Sequence, residues 1–535
     1  MQPDGNFVLY NSNDFPLWSS KTNGKGSTPY CLALFGYGHL TLYDSGCTDL
    51  WHVGSEIKQN PDGSCVTHDV RDGDNCKDRT YGFKGCGPDL QQGKICVSPG
   101  RPPAPDLQKD AQGNTVKCGF GASGNGTFVR CPLNICCSKS GFCNTTDDYC
   151  RVEDPNANPG VNSCQGDCGN TYSPVGPTPS DFKKIGYYES WNKEWKCLHM
   201  SMASVQNAVD KRKYTHVHYA FVGIREGFQP YYKENSFIDF INLHGVKKIA
   251  SFGGWAFSTD SETSGVFVHA TKPENRGNFI NNLINFANKY GLDGLDFDWE
   301  YPSAPDIPGL KGVATPEDGA NYLAFLRELK SKYKGSISIA APASFWYLQA
   351  FPIKEIAEIV DYIVYMTYDL HGQWDAGNDK NSGHDSALKS HVHWGETKDA
   401  LTMVITKAGA ESRKIMLGLG LYGRSFQPAD INCWTPDCKF TGTREQSNAS
   451  PGRCTGTSGY ISNAEISEIV SGKFSGTSIV MGPRYDQESD SYILTYTVNE
   501  NPNWVSYMDN DIMNKRTSLA RDLGLGGTVE WAMDL

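Results

Sequence analysis

The sequence predicts a multidomain chain in which small disulfide-rich and β-rich modules precede a (β/α)8 barrel carrying an α+β insertion. Three observations predict it. Beyond Asp181, eight apolar, strand-like runs recur at intervals that leave room for helices, the pattern of a closed parallel barrel. Over a hundred residues separate Tyr422 from Trp531 in the last run, too many for a simple strand-to-helix connection. Of the 18 cysteines, 14 lie at or before Cys168, as expected of stapled small modules followed by a self-supporting domain. At 535 residues the chain is also too long for one core. The expected boundaries are 1–59 and 60–105 for two β modules, 115–170 for a cysteine-rich one and 171–181 for a Pro-rich connector. The barrel then takes 182–535, with its insertion at about 425–510.

An internal repeat opens the chain: GNFVLYNSNDFPLW (Gly5 to Trp18) returns 33 residues later as GHLTLYDSGCTDLW (Gly38 to Trp51). Alternating apolar positions and turn residues make each copy hairpin-like. The spacing Gln2-x-Asp4-x-Asn6-x-Val8-x-Tyr10 resembles the mannose-binding motif of bulb-type lectins, which implies mannose as a possible ligand. In the second copy Phe35, Tyr37 and His39 take those places, so that site looks lost; Cys31 and Cys47 are expected to form the module's disulfide. Between Asp62 and Pro105, Val70-x-x-Gly73-Asp74 and Leu90-x-x-Gly93-x-x-Cys96 resemble a LysM module, with the stretch from Cys76 to Cys86 too short for its usual two helices. Cys118, Cys131, Cys136, Cys137, Cys143, Cys150, Cys164 and Cys168 then resemble a hevein-type chitin-binding domain. That resemblance implies a sugar site at Ser138, Phe142 and Tyr149, with Ser140 replacing one expected aromatic. Ser173-Pro174-Val175-Gly176-Pro177-Thr178-Pro179 reads as a stiff connector.

The eight expected barrel strands are Lys184–Tyr188, His216–Val222, Lys248–Phe252, Gly294–Trp299, Ser336–Ala341, Asp361–Thr367, Lys414–Gly420 and Gly527–Ala532, with helices over Gly277–Lys289 and Asn321–Lys332. In the fourth run Asp296, Asp298 and Glu300 sit two apart and therefore share one strand face. Flanking Leu292, Leu295 and Phe297 place them in apolar surroundings, where three unpaired carboxylates are strongly unfavourable unless they share protons and hydrogen bonds. The row implies acid chemistry; an acidic, solvent-facing strand edge is the competing reading.

Three further motifs end strands, where a barrel keeps its reactive groups. They are Ser251-Phe252-Gly253-Gly254-Trp255 after the third, Met366-Thr367-Tyr368-Asp369 after the sixth, and Trp531 at the eighth. With Asp293-x-x-Asp296-x-Asp298-x-Glu300, they resemble the signatures of glycoside hydrolase family 18 chitinases over roughly 183–535. The module order resembles the fungal branch related to the killer-toxin α/β subunit. The resemblance implies hydrolysis of β-1,4-linked N-acetylglucosamine polymers, assisted by the substrate's acetamido group. Glu300 would protonate the glycosidic oxygen, with its acidity tuned by neighbouring carboxylates. Asp298 would stabilise the oxazolinium N–H while sharing a proton with Asp296, and Asp293 would support the array. Tyr368 and Asp369 would position the sugar. Implied substrate contacts are Tyr187, Trp191, Phe221, Ser251, Gly253, Gly254, Trp255, Met366, Trp374, Tyr422, Arg424 and Trp531. His371 reads as structural.

A net charge of −11 argues against nucleic-acid partners. No metal or cofactor is expected, because no paired C-x2-C knuckles are present, and no run reaches membrane-spanning length. Sequons at Asn125, Asn144 and Asn448 and the cysteine content suit a secreted, extracellular or wall-associated protein. No signal peptide follows Met1, so the natural N-terminus is expected to lie elsewhere. The chain stops after the eighth strand, which predicts an exposed apolar side on strands one and eight. Two other functions remain open: a chitin-binding or toxin-docking subunit whose barrel only holds sugar, and an endo-β-N-acetylglucosaminidase acting on N-glycans.

Overall fold

The computed structural model describes 171–535 apart from 377–385 and 436–437, most of 117–152 with 164–170, and short stretches before residue 97. The chain divides into two compact units, Met1–Asn170 and Thr171–Leu535.

In the second unit eight parallel strands close into a barrel. They are β1 (Lys183–Glu189), β2 (His216–Arg225), β3 (Lys247–Gly253), β4 (Gly294–Asp298), β5 (Ser336–Pro342), β6 (Tyr362–Met366), β7 (Ile415–Gly420) and β8 (Gly527–Trp531). Each pairs with its neighbours in sequence, and β8 pairs with β1. All eight expected runs are strands. The expected helices lie inside Pro273–Tyr290 and Asp318–Lys332. Pro273 starts the first of these without forfeiting a hydrogen bond, and Gly291 ends it at φ 59°.

The strand period of two sorts side chains between barrel axis and helix layer. On β4, Phe297 turns outward, stacking on Phe252 at 5.8 Å and meeting Phe325 of the helix layer edge-on at 5.1 Å. Asp296 and Asp298, of opposite parity, therefore face the axis. The expected apolar exposure on strands one and eight is not found. The outward positions there include Lys184 and Glu530, which pair at 3.2 Å, together with Gly186 and Thr528. Met533 folds back over Gly186, where even a Cβ would come within 2.6 Å of its side chain. Charge pairing and the returning chain cover that face.

The Pro-rich connector is tied to the barrel unit rather than free. The backbone N–H groups of Ser173 and Val175 bond the Thr406 and Ser412 hydroxyls at 2.9 and 2.8 Å. The insertion begins directly after β7. Its antiparallel sheet runs in the order Tyr460–Ser462, Tyr422–Phe426, Asn501–Tyr507, Ser491–Val498, Thr477–Asp486. Helix Asn463–Val470 packs on it, opened by a reciprocal capping box between Ser462 and Glu465. Disulfides Cys433–Cys438 and Cys197–Cys454 brace it, the second from the loop after β1.

In the first unit both repeat copies form antiparallel strands with the same register, Leu9 opposite Trp18 and Leu42 opposite Trp51. Gln2, Asp4 and Cys47 lie outside the described residues, while Asn6 Oδ1 accepts from Ser20 and Thr22 within the module. Of the LysM-like stretch, Thr67–Asp69 pairs with Lys94–Cys96, and its motif residues before Lys94 lie outside the described residues. The hevein-like module is stapled as Cys118–Cys137, Cys131–Cys143, Cys136–Cys150 and Cys164–Cys168. Ser138 Oγ accepts the Phe142 N–H at 3.1 Å, leaving the Phe142 ring 44% exposed, and Tyr149 packs on the cystine cluster.

The Cys197–Cys454 bridge closes a loop of 257 residues. Cys454→Ala is expected to lower stability by about 2–5 kcal/mol, read as a fall in calorimetric Tm with the barrel's circular dichroism retained below it.

Candidate active site

The C-terminal ends of the strands gather the acidic row and its surroundings. Asp296 is completely buried. Its Oδ2 accepts from the Tyr187 hydroxyl at 2.7 Å and the Ser251 hydroxyl at 2.8 Å, with His218 Nδ1 at 3.3 Å. Its Oδ1 accepts from Ser338 at 2.7 Å. Burial pushes this carboxyl up, but His218 and the Ser338 and Tyr187 hydroxyls outweigh it and hold Asp296 below its usual range. Two residues on, Asp298 has no such company. Burial, then the charges of Glu300 and Asp296, push it well above the ordinary carboxyl value. Its Oδ1 is buried without a hydrogen-bond partner. One strand face thus carries an ionised and a protonated carboxyl side by side.

Glu300 follows β4, its N–H fixed by Ser258 Oγ at 3.0 Å. Its carboxyl is pushed up to about 7, chiefly by burial; a hydrogen bond with Tyr301 opposes this, and the Asp369 charge adds to it. Burial, rather than the neighbouring carboxylates expected from the sequence, is the leading cause. Asp369, at φ 57° after β6, is gripped by Arg424 through Nε at 2.7 Å and Nη2 at 2.5 Å, and by the Tyr422 hydroxyl at 2.5 Å. Burial raises this carboxyl, but Arg424 and His391 outweigh it and hold it well below the usual range. Arg424 also lies 4.9 Å from the Trp374 ring centre, a cation–π contact. The aromatics cluster as expected: Trp531 meets Tyr187 at 5.1 Å, Phe221 at 5.9 Å and Trp191 at 6.4 Å. Trp255 and Trp374 are 54% and 37% exposed, and Met366 closes β6, partly buried.

One assignment changes. Asp293 precedes β4, at the opposite end of the strand from Glu300; its carboxylate takes Lys247 Nζ at 3.1 Å and the Lys248 N–H at 2.9 Å. It ties β3 to β4 and has no part in the acidic array, because residues along a strand are about 3.3 Å apart. Ser251, Gly253 and Gly254 support the acidic row. Ser251 is buried on Asp296, and the Gly254 N–H bonds the Asp298 carbonyl at 2.8 Å. Gly253 has φ 109°, and a Cβ there would sit 2.0 Å from that same carbonyl oxygen; one at Gly254 would sit 2.3 Å from the Phe221 ring. Only glycine allows β3 and β4 to come this close. Tyr187 and Tyr422 likewise direct their hydroxyls to Asp296 and Asp369.

Sequence reasoning passed over His218, Ser338, Tyr301, Tyr362 and His391. His218 and Ser338 were legible in principle as polar residues at inward positions of barrel strands. His391, 22 residues beyond Asp369, gave no local sign. His371 is structural as expected. It bridges Asp375 at 2.8 Å and Glu396 at 2.9 Å, and although burial lowers it, these carboxylates push it up to about 9.

The chain belongs to the glycosyl hydrolases family 18, whose model matches residues 183–535. It is 42% identical over 516 residues to "Secreted chitinase LysM12" of Penicillium expansum, covering 89% of this chain and 33% of that protein. It is 37% identical over 497 residues to the "Killer toxin subunits alpha/beta" of Kluyveromyces lactis, covering 89% and 40%. The chain therefore spans well under two thirds of these relatives. Among solved structures, the Ostrinia furnacalis Group IV chitinase in complex with allosamidin matches with a TM-score of 0.54 at 25% identity, covering 66% of this chain and 92% of that one. Among the described residues, no helix is long and apolar enough to cross a membrane.

Because His371 is raised by its partners, its stabilisation is fully present below its ordinary value of 6.5 and is lost as pH rises through about 9. Denaturation midpoints are expected to fall between pH 6.5 and 9, and His371→Gln to flatten that slope.

Proposed function

We propose that this chain hydrolyses β-1,4-linked N-acetylglucosamine polymers with retention, using the substrate's own acetamido group as nucleophile. The observation that carries this reading is Asp298: a protonated, buried carboxyl with an unpartnered oxygen, between ionised Asp296 and partly buried Glu300. An ordinary retaining site needs a second free carboxylate about 5–5.5 Å from the acid. Asp369 is a carboxylate whose charge acts on Glu300, and both its oxygens are held by Arg424 and Tyr422.

Glu300, about half protonated at neutrality and more so below it, gives its proton to the glycosidic oxygen as that bond breaks. The acetamido carbonyl oxygen bonds to the anomeric carbon, and positive charge develops on its nitrogen. Asp298 accepts that N–H, with anionic Asp296 behind it. Glu300, now a carboxylate, then takes a proton from the water that opens the oxazolinium ring, and retention follows from two displacements. Trp531, with Trp191 and Phe221 beside it, offers an apolar floor for the sugar ring. The Tyr422–Phe426 strand brings Arg424 to the site, so the insertion contributes one wall. In the first unit, the exposed Phe142 face beside Ser138, with Tyr149, supports an accessory chitin contact. The names of the relatives, chitinases among them, agree with this substrate class and with export from the cell.

Glu300→Gln is expected to lower kcat/KM on chito-oligosaccharides by ~10²–10⁴-fold, the usual worth of a general acid. Wild type lacking chitin cleavage, or cleaving high-mannose glycopeptide in preference, would sink the proposal. Since the acid must be protonated, the wild-type rate should fall as pH rises through about 7. In pull-down on insoluble chitin, Phe142→Ala is expected to weaken binding ~10-fold, the scale of one aromatic face, with hydrolysis of soluble oligosaccharides unchanged.

A further inference from the structure

The motifs that mark the acidic row leave His218 on β2 unexplained, yet its ring is completely buried at the barrel axis. Its Nδ1 lies 3.3 Å from both Asp296 Oδ2 and Ser251 Oγ, and its Nε2 lies 2.8 Å from the Tyr362 hydroxyl. Tyr187 sits over the ring with centres 4.6 Å apart. Proton counting assigns the donors. The Ser251 hydroxyl has one hydrogen, which it donates to Asp296 Oδ2, so toward His218 it offers a lone pair. Nδ1 then carries a hydrogen in either the neutral ring or the imidazolium, and that N–H faces Ser251 Oγ and Asp296 Oδ2. Tyr362 holds the other nitrogen and fixes the ring's orientation.

We propose that His218 is a positioning residue that keeps Asp296 ionised and so leaves the proton of the Asp296–Asp298 pair on Asp298, where the acetamido group is received. This rests on the hydrolytic reading above. It accounts for two carboxyls on one strand face falling on opposite sides of their ordinary value, since Asp298 is equally buried but has no histidine. The groups facing the ring come from five strands: Tyr187 from β1, His216 on its own strand β2, Ser251 from β3, Asp296 and then Asp298 from β4, and Tyr362 from β6.

The test uses two variants of the full chain that divide the two ring nitrogens. His218→Asn places an amide N–H near Nδ1, and His218→Gln places one near Nε2, toward Tyr362. Without a donor at Nδ1 the pair takes up its second proton more readily, so activity is lost earlier as pH falls. In His218→Gln the acidic limb of kcat/KM on chito-oligosaccharides is expected to move up by ~1 pH unit and kcat to fall ~10-fold, with KM within ~2-fold. In His218→Asn the limb should stay within ~0.3 pH unit of wild type, and the alkaline limb set by Glu300 should stay put in both. A His218→Gln profile that is lower but unshifted, or equal shifts in the two variants, overturns the proposal. Inactive wild type would instead overturn the hydrolytic reading. In that case ¹³C-carboxyl titration of Asp296 in the resting protein decides the role of His218: a raised value in His218→Gln alone supports it, and an unchanged value overturns it.

Discussion

Three carboxyl groups in a row inside a barrel cannot all be charged, and much of the catalytic unit is arranged around that constraint. Removing one carboxylate from water without partners is costly enough that the group takes a proton instead. The protein settles the conflict by unequal company. Asp296 receives Tyr187, Ser251, Ser338 and His218 from four different strands and stays ionised. Asp298 receives none on its Oδ1 and stays protonated. Glu300, further out and partly exposed, lies near neutrality. Three chemically similar side chains are shifted differently, Asp296 down and Asp298 and Glu300 up.

The same constraint explains parts of the barrel that contact no substrate. β3 must lie against β4 closely enough for Ser251 to reach Asp296, and the positive φ of Gly253 and Gly254 permits the approach. Asp293 stitches the other end of the same strand pair through Lys247 and Lys248. Across the site, the insertion strand Tyr422–Phe426 delivers Arg424 and Tyr422 to Asp369. That grip holds both Asp369 oxygens in short charge-assisted bonds.

Small modules ahead of the barrel solve a different problem. The hevein-like segment has a core made chiefly of cystines, with Cys136, Cys150 and Cys164 packed under Tyr149, so its fold depends on oxidation rather than on buried apolar area. Its Phe142 is exposed, with the backbone N–H of the same residue bonded to Ser138 Oγ.

Strand periodicity was enough to place all eight barrel strands, two of the helices and the shared face of Asp296 and Asp298, because those features depend on neighbours in sequence, whereas Glu300 lies beyond the end of β4. The aromatic cluster around Trp531 was legible through family resemblance. Other features were not local. The helix-layer packing that sends Phe297 outward is what turns the carboxyls inward. Asp293 reads as a fourth member of the row only until its parity and its strand end are known. The support that Ser251, Gly253 and Gly254 give the row is visible only once β3 lies beside β4. The sequence alone determined that this protein holds a row of acids in an apolar strand of a barrel. Which acid keeps its proton was decided only by the tertiary structure, because the pKa of a buried carboxyl is set by donors that converge from other strands, His218 foremost among them.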